Sequence, residues 1–289
     1  MTFEGNPGRR EAPHCNEDKD LNGVDLAGAR SIQLFSPAKI NLFLRIMGKR
    51  PDGYHELASL FQAINLGDTL TFTLSAYDSL TCSNPHLPCN DSNLIIKALH
   101  LFRHKTRLHT PITIHLEKHI PTQAGLGGGS SNAATTLWAL NTLHNNPCTI
   151  QELQNWSSEM GSDIAFFFSH GTAYCTGRGE QVRDLPSLAL PPLSLIKPPQ
   201  GLSTPAIYQA LQLHECSTED PEQLLADFYL GKPRYINDLE APAFRLYPLL
   251  SQIKKSHSIA FMSGSGSAMV VGGSGAVTSI NRQQSTWYG

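Results

Sequence analysis

The sequence has no two cysteines spaced as Cys-x-x-Cys. Its six cysteines, Cys15, Cys82, Cys89, Cys148, Cys175 and Cys216, are scattered, which argues against a zinc site. In a chain of 289 residues such thiols fit a reducing compartment better than a disulfide framework. No apolar run reaches membrane-spanning length. Residues 1–30 lack the apolar core of a signal peptide and carry too many acids for a transit peptide. Neither sign of charge dominates, the formal net charge being -2, so neither nucleic acid nor a membrane surface is expected as partner. These absences leave a soluble cytoplasmic protein. The 40% hydrophobic and 16% charged residues fit a globular chain, long enough for one large or two modest domains.

What is present begins after a tail. Residues 1–30 are polar and without periodicity, and read as disordered. From there Ile40, Leu42, Leu44 and Ile46 alternate with Lys39, Asn41, Phe43 and Arg45, a strand pattern. "RPDGYHEL" supplies turn chemistry, and "LTFTLSA" and "ITIHLEK" read as further strands. "DSNLIIKALHLFRHKT" has helical spacing, with Asp91 or Ser92 as its cap. "TIQELQNWSSEMG" opens with Thr149 and Glu152 at capping-box spacing and can end at Gly161. "TAYCTGRGEQVRDL" reads as a hairpin around Gly177 and Gly179. The proline-rich "LPSLALPPLSLIKPPQG" reads as a crossing between domains, which divides the chain into 31–190 and 191–289. "SIAFMSGSGSAMVVGG" reads as two short strands joined by a glycine-serine turn. Strands and helices interleave irregularly, which favours α+β over a regular parallel sheet.

The densest signal is "PTQAGLGGGSSNAATTLWAL", residues 121–140. A Walker A loop needs Lys-Ser/Thr after its last glycine, but Gly129 is followed by Ser130 and Ser131. A dinucleotide fingerprint needs glycine where Ser130 stands, and an acidic residue sooner than Glu152. A more general reading survives. Glycines let a ligand approach the backbone amides, and the loop runs into a helix whose N-terminus favours an anion. The loop has no lysine, so charge neutralisation falls to amides, the helix dipole and a metal ion. A flexible linker or a plain helix cap is the competing reading.

The order of these features carries a resemblance. "SPAKINLFLRI", "RPDGYHEL", "GLGGGSSNAA", "GSDIAFF", "NDLE" and "SGSGSA" together resemble the GHMP kinases, a superfamily that includes galacto-, homoserine, mevalonate and phosphomevalonate kinases. The pairing of "PAKINLFL" with "DGYHEL" resembles the branch acting on a cytidine-diphosphate-linked methylerythritol. The resemblance runs over roughly residues 33–272. It implies a two-domain α+β fold with the active site in the inter-domain cleft, and transfer of the γ-phosphate of ATP to a substrate hydroxyl in isoprenoid precursor synthesis. Other small-alcohol kinases of the mevalonate or homoserine class, or a non-catalytic ATP-binding relative, are the alternatives.

The resemblance also assigns residues. Pro121, Thr122, Gln123, Ala124, Gly125, Leu126, Gly127, Gly128, Gly129, Ser130 and Ser131 become the ATP phosphate loop. Mg2+ is expected to be held mainly by ATP, with Ser130 or Ser131 as candidate protein ligands. Asp163, by local pattern a helix cap, becomes the catalytic base. Lys39, by local pattern an exposed strand lysine, becomes the ammonium beside the reacting hydroxyl. Asn41, Tyr54, His55 and Tyr208 form the substrate side, the aromatic rings against cytosine. Ser263 to Ser267 resemble the superfamily's third motif, packed on the phosphate loop. Two positions depart from the family: Thr122-Gln123-Ala124 stand where glycine is usual, and Ala165 where proline is. A monomer or homodimer is expected.

Overall fold

Two long strands organise the chain. β1 (Ser31–Lys49) and β2 (His55–Leu74) run antiparallel through most of their lengths. The structure, a computed structural model, describes residues 30–273 and 275–280; the expectation of a disordered tail therefore lies almost wholly outside the described residues. The alternation that marks β1 as a strand does not mark a solvent face: every residue from 36 to 46 is buried. The polar side chains Lys39, Asn41 and Arg45 are inside because both faces of β1 are covered.

The other edge of β2 is shared. Its second half pairs with β4 (Ile112–Glu117), to which β3 (Ser79–Cys82) adds in parallel. Its first half pairs with β5 (Thr172–Gly177), and β6 (Gln181–Asp184) adds outside that. This six-stranded sheet carries α1 (Leu94–Thr106) and α2 (Gly128–Leu143) on one face. Phe102, Leu137 and Leu140 from the helices pack with Phe72, Ile114 and Leu116 from the strands. The cap of α1 is Asn93, not Asp91 or Ser92. Asn93 is the last extended residue, and its side chain accepts from the Ile95 amide at 3.0 Å. α3 (Ile150–Ser157) has the expected capping box, with Thr149 and Glu152 bonded reciprocally, although it ends before Gly161.

A second sheet has the order β7 (Leu193–Ile196), β9 (Met269–Gly272), β8 (Ala260–Met262). The proline-rich stretch is thus more than a crossing: Leu193–Ile196, between its two proline pairs, form an edge strand, with prolines confined to the flanks. Four short helices, α4 (Thr204–Ala210), α5 (Pro221–Tyr229), α6 (Glu240–Leu246) and α7 (Leu249–Lys255), complete this half. Ile40 and Phe43 of β1 share a core with Phe228, Phe261 and Val270. A buried ion pair, Arg45 with Asp238 at 3.0 Å, fastens the same strand to the second half. Asp238 also accepts from the amides of Ile46 and Ser217, at 2.7 and 2.9 Å, which satisfies both its oxygens. Such a pair fixes geometry more than it adds stability.

Candidate active site

Lys39 lies in the buried middle of β1, and its backbone N–H donates to Leu126 O at 2.9 Å. Strand and glycine loop are thereby joined. Its ammonium donates to Asn41 Oδ1 at 2.7 Å and lies 3.1 Å from Asp163 Oδ2. Asn41 is oriented from behind: its Nδ2 donates to Ser59 Oγ at 2.8 Å, while Ser59 Oγ donates to Phe43 O. With the nitrogen held by Ser59, the amide oxygen faces Lys39.

Asp163 is not a helix cap. The short 3-10 turn Ala165–Phe168 follows it, but the capping position is Ile164 and no side chain caps it. The carboxylate turns to Lys39 instead and stays 33% exposed, whereas Lys39 is 3% exposed. An accessible carboxylate against a buried ammonium can meet a substrate from the open side. Ala165, where the family has proline, is buried in the turn without disturbing it.

The glycine loop is clamped, not free. Gly127 takes the left-handed conformation that starts α2, and Gly125 has φ +74. The Ser263–Ser267 turn lies against the loop. Ala268 N donates to Ala124 O and Ser263 Oγ to Gly125 O, both at 3.0 Å. The turn is held in its own place by Asn237 Nδ2, which donates to Met262 O and Gly264 O at 2.8 Å. These contacts exclude the linker reading. The first turn of α2 contains no acidic residue, so its amide groups and dipole are open to an anion. Ser131 departs from expectation. Its hydroxyl is fully buried, 2.8 Å from Ser36 Oγ, so among the two candidate metal hydroxyls only Ser130 faces the cleft.

Lys39, Asn41, Tyr54, His55, Asp163, Tyr208 and loop residues 121–130 line one cleft of about 1220 Å3. That exceeds the ~300–1,000 Å3 typical of a single small-molecule pocket and leaves room for two ligands side by side.

The chain is similar to known proteins throughout this region. Residues 93–171 match the GHMP kinases N terminal domain. The 4-diphosphocytidyl-2-C-methyl-D-erythritol kinase of Protochlamydia amoebophila is 51% identical over 273 residues, covering 89% of this chain and 93% of that protein. The chain belongs to this kinase family. The chloroplastic kinase of the same name from Oryza sativa is 50% identical over 84% of this chain, which spans 65% of that longer protein. A crystal structure of 4-(cytidine 5'-diphospho)-2C-methyl-D-erythritol kinase superposes with a TM-score of 0.72 at 33% identity, covering 84% of this chain and 91% of that one. The α+β fold expected from the sequence is the GHMP kinase fold. No helix among the described residues is long and apolar enough to cross a membrane.

In this kinase aromatic residues line the same cleft as the glycine loop. The rings of His55 and Tyr208 stack at 5.3 Å, 30° apart. Tyr54 is 55% exposed. Burial, and secondarily the charge of Lys49, hold the His55 pKa below its ordinary value. Burial and the Asp163 charge push the Tyr208 hydroxyl well up. Both rings are therefore neutral at pH 7 and can pair with an uncharged base edge.

Two cleft residues escaped the reading of the sequence. Lys118 leaves the end of β4 and reaches the loop from outside. Its ammonium would lie 3.1 Å from a Cβ placed on Gly128, and 2.8 Å from buried Asp68. Burial lowers its pKa and Asp68 opposes this. A lysine thus does stand beside the loop, but on a distant strand that loop-based motif rules do not search. Arg178, at the β5–β6 hairpin tip, is the other.

Proposed function

We infer that this protein transfers the γ-phosphoryl group of ATP to the 2-hydroxyl of 4-diphosphocytidyl-2-C-methyl-D-erythritol, in the non-mevalonate route to isoprenoid precursors. The observation that carries the reading is the Lys39–Asp163 contact at 3.1 Å, between a clamped glycine loop and a cluster of aromatic rings. The loop amides and the N-terminus of α2 hold the ATP phosphates. Tyr54, His55 and Tyr208 hold cytosine and so set the reach of the substrate hydroxyl. Asp163 accepts the hydroxyl proton as the oxygen attacks the γ-phosphorus. A new O–P bond forms, the bond to the β-phosphate oxygen breaks, and ADP leaves. Lys39, held by Asn41, stabilises the charge that develops between them.

Mg2+ supplies charge neutralisation at the phosphates when bound. Among the described residues no three His, Cys, Asp or Glu side chains form a metal-holding group. On this reading the nucleotide would carry the ion, with the Ser130 hydroxyl as its protein contact. The same reading divides the chain near residue 190 into a phosphate-loop domain and a second domain. It also places the reaction in the cytoplasm, in keeping with the unpaired state of the described cysteines.

A coupled ADP-release assay with the cytidine-diphosphate substrate, mevalonate and homoserine side by side tests the reading. Turnover confined to the first is expected. Turnover on mevalonate or homoserine alone, or ATP binding without any turnover, would overturn it.

A further inference from the structure

The substrate proposed above carries a diphosphate between its cytosine and the reacting alcohol, and the machinery so far described leaves that diphosphate without a partner. Lys39 is engaged by Asp163 and Asn41, and Lys118 by Asp68. Arg178 differs from both. It sits on the β5–β6 hairpin between two glycines with positive φ, Gly177 and Gly179, and its backbone N–H donates to Glu180 Oε2 at 2.6 Å. The hairpin fixes its stem, and the guanidinium projects over the Tyr54 ring, 4.8 Å from the centroid.

The next residue, Gly179, approaches the base. A Cβ built there would be 3.3 Å from Asp163 Oδ1. Arg178 therefore spans the interval between the aromatic ring expected to hold cytosine and the carboxylate expected to meet the hydroxyl. Its fork is also open. Nε is 3.9 Å from Glu180 Oε2, beyond hydrogen-bonding reach, and among the described residues the guanidinium donates no hydrogen bond. Neighbouring arginines are closed, Arg50 on Asp52 and Glu56, and Arg183 on both oxygens of Glu222. With its side chain 29% exposed, Arg178 is both partly desolvated and reachable.

We propose that Arg178 binds the diphosphate of the cytidine substrate and so acts as a specificity residue for nucleoside diphosphate over nucleoside. This rests on the proposed function. A guanidinium presents paired N–H donors that match phosphate oxygens, and its contact with Tyr54 orients it toward a ligand stacked nearby.

The test is calorimetric binding of CDP and of cytidine to the full chain, for wild type, Arg178→Met, Arg178→Lys and Lys49→Met. Lys49 also lines the cleft and is the competing cation. Arg178→Met is expected to lose ~10–100-fold in CDP affinity while cytidine affinity changes by less than about threefold, well short of that loss. Arg178→Lys, which keeps the charge without the fork, should fall between, and Lys49→Met should resemble wild type. Matching melting temperatures will show that the variants are folded. Equal losses for CDP and cytidine in Arg178→Met would mean that the arginine only packs on Tyr54, and overturn the proposal. Loss of CDP preference in Lys49→Met instead would also overturn it. If wild type binds neither ligand, the substrate reading itself fails; if it binds CDP and Arg178→Met binds it equally well, only the Arg178 assignment fails.

Discussion

Replacing Gly125 by alanine should break the clamp between the glycine loop and the Ser263–Ser267 turn. Two terms add. Gly125 has φ +74, a left-handed conformation costing a Cβ-bearing residue about 1–2 kcal/mol. The added Cβ would also lie 2.1 Å from Ser263 O and 3.0 Å from Gly266 N. Those are backbone atoms held in place by Asn237, so the turn must move as a unit, an overpacking cost of roughly 1–3 kcal/mol. The sum is about 2–5 kcal/mol, which corresponds to a melting temperature lower by roughly 5–15 °C. Gly129→Ala provides the contrast. There the Cβ meets only the tip of Leu94, at 3.3 Å, with no positive φ, and alanine favours the helix by up to ~1 kcal/mol. Differential scanning calorimetry and the KM for ATP should therefore separate the two: Gly125→Ala loses stability and ATP affinity together, and Gly129→Ala keeps its stability. Wild-type melting and ATP affinity in Gly125→Ala would refute the clamp.

Two further outcomes are expected. Tyr54→Ala should raise the KM for the cytidine substrate by the ~1–3 kcal/mol of a base–aromatic stack and leave the KM for ATP unchanged; an unchanged substrate KM removes Tyr54 from the site. Because burial and the Lys49 charge lower the His55 pKa, the ring is neutral at pH 7 and gains its proton only as pH falls below the ordinary histidine range of about 6.5. The substrate KM should thus be flat above that pH and rise below it, a rise that His55→Gln abolishes; a rise that persists in His55→Gln assigns the effect elsewhere.

Much of this was legible because the decisive groups lie in short runs with strong local rules. The glycine loop, the Thr149–Glu152 capping box and the paired strands around the Gly-Ser turn follow from backbone preferences that neighbours in sequence determine. Lys39 and Asp163 were legible only through resemblance. Local pattern gave an exposed lysine and a helix cap, and tertiary packing reverses both. The burial of β1 on two faces could not be read from its alternation, since a polar face turned into a cleft looks the same as one turned to water. Ser131 shows the limit within a motif. Its hydroxyl is taken up by Ser36 from a strand far away in sequence. Arg178 in "TGRGE" reads as turn chemistry, and its position over Tyr54 depends on the pairing of β2 with β5.

The most direct test of the account is kcat for Asp163→Asn, measured with ATP and the cytidine-diphosphate substrate alongside Lys39→Ala and the double variant. Asparagine keeps the size of the side chain and an acceptor for the Lys39 ammonium but cannot take a proton. The melting temperature should therefore hold while kcat falls by ~10²-fold or more. Lys39→Ala should then cost less on the Asp163→Asn background than on wild type, because groups that act as a unit are not additive. A near-wild-type kcat in Asp163→Asn would contradict the assignment of Asp163 as the base.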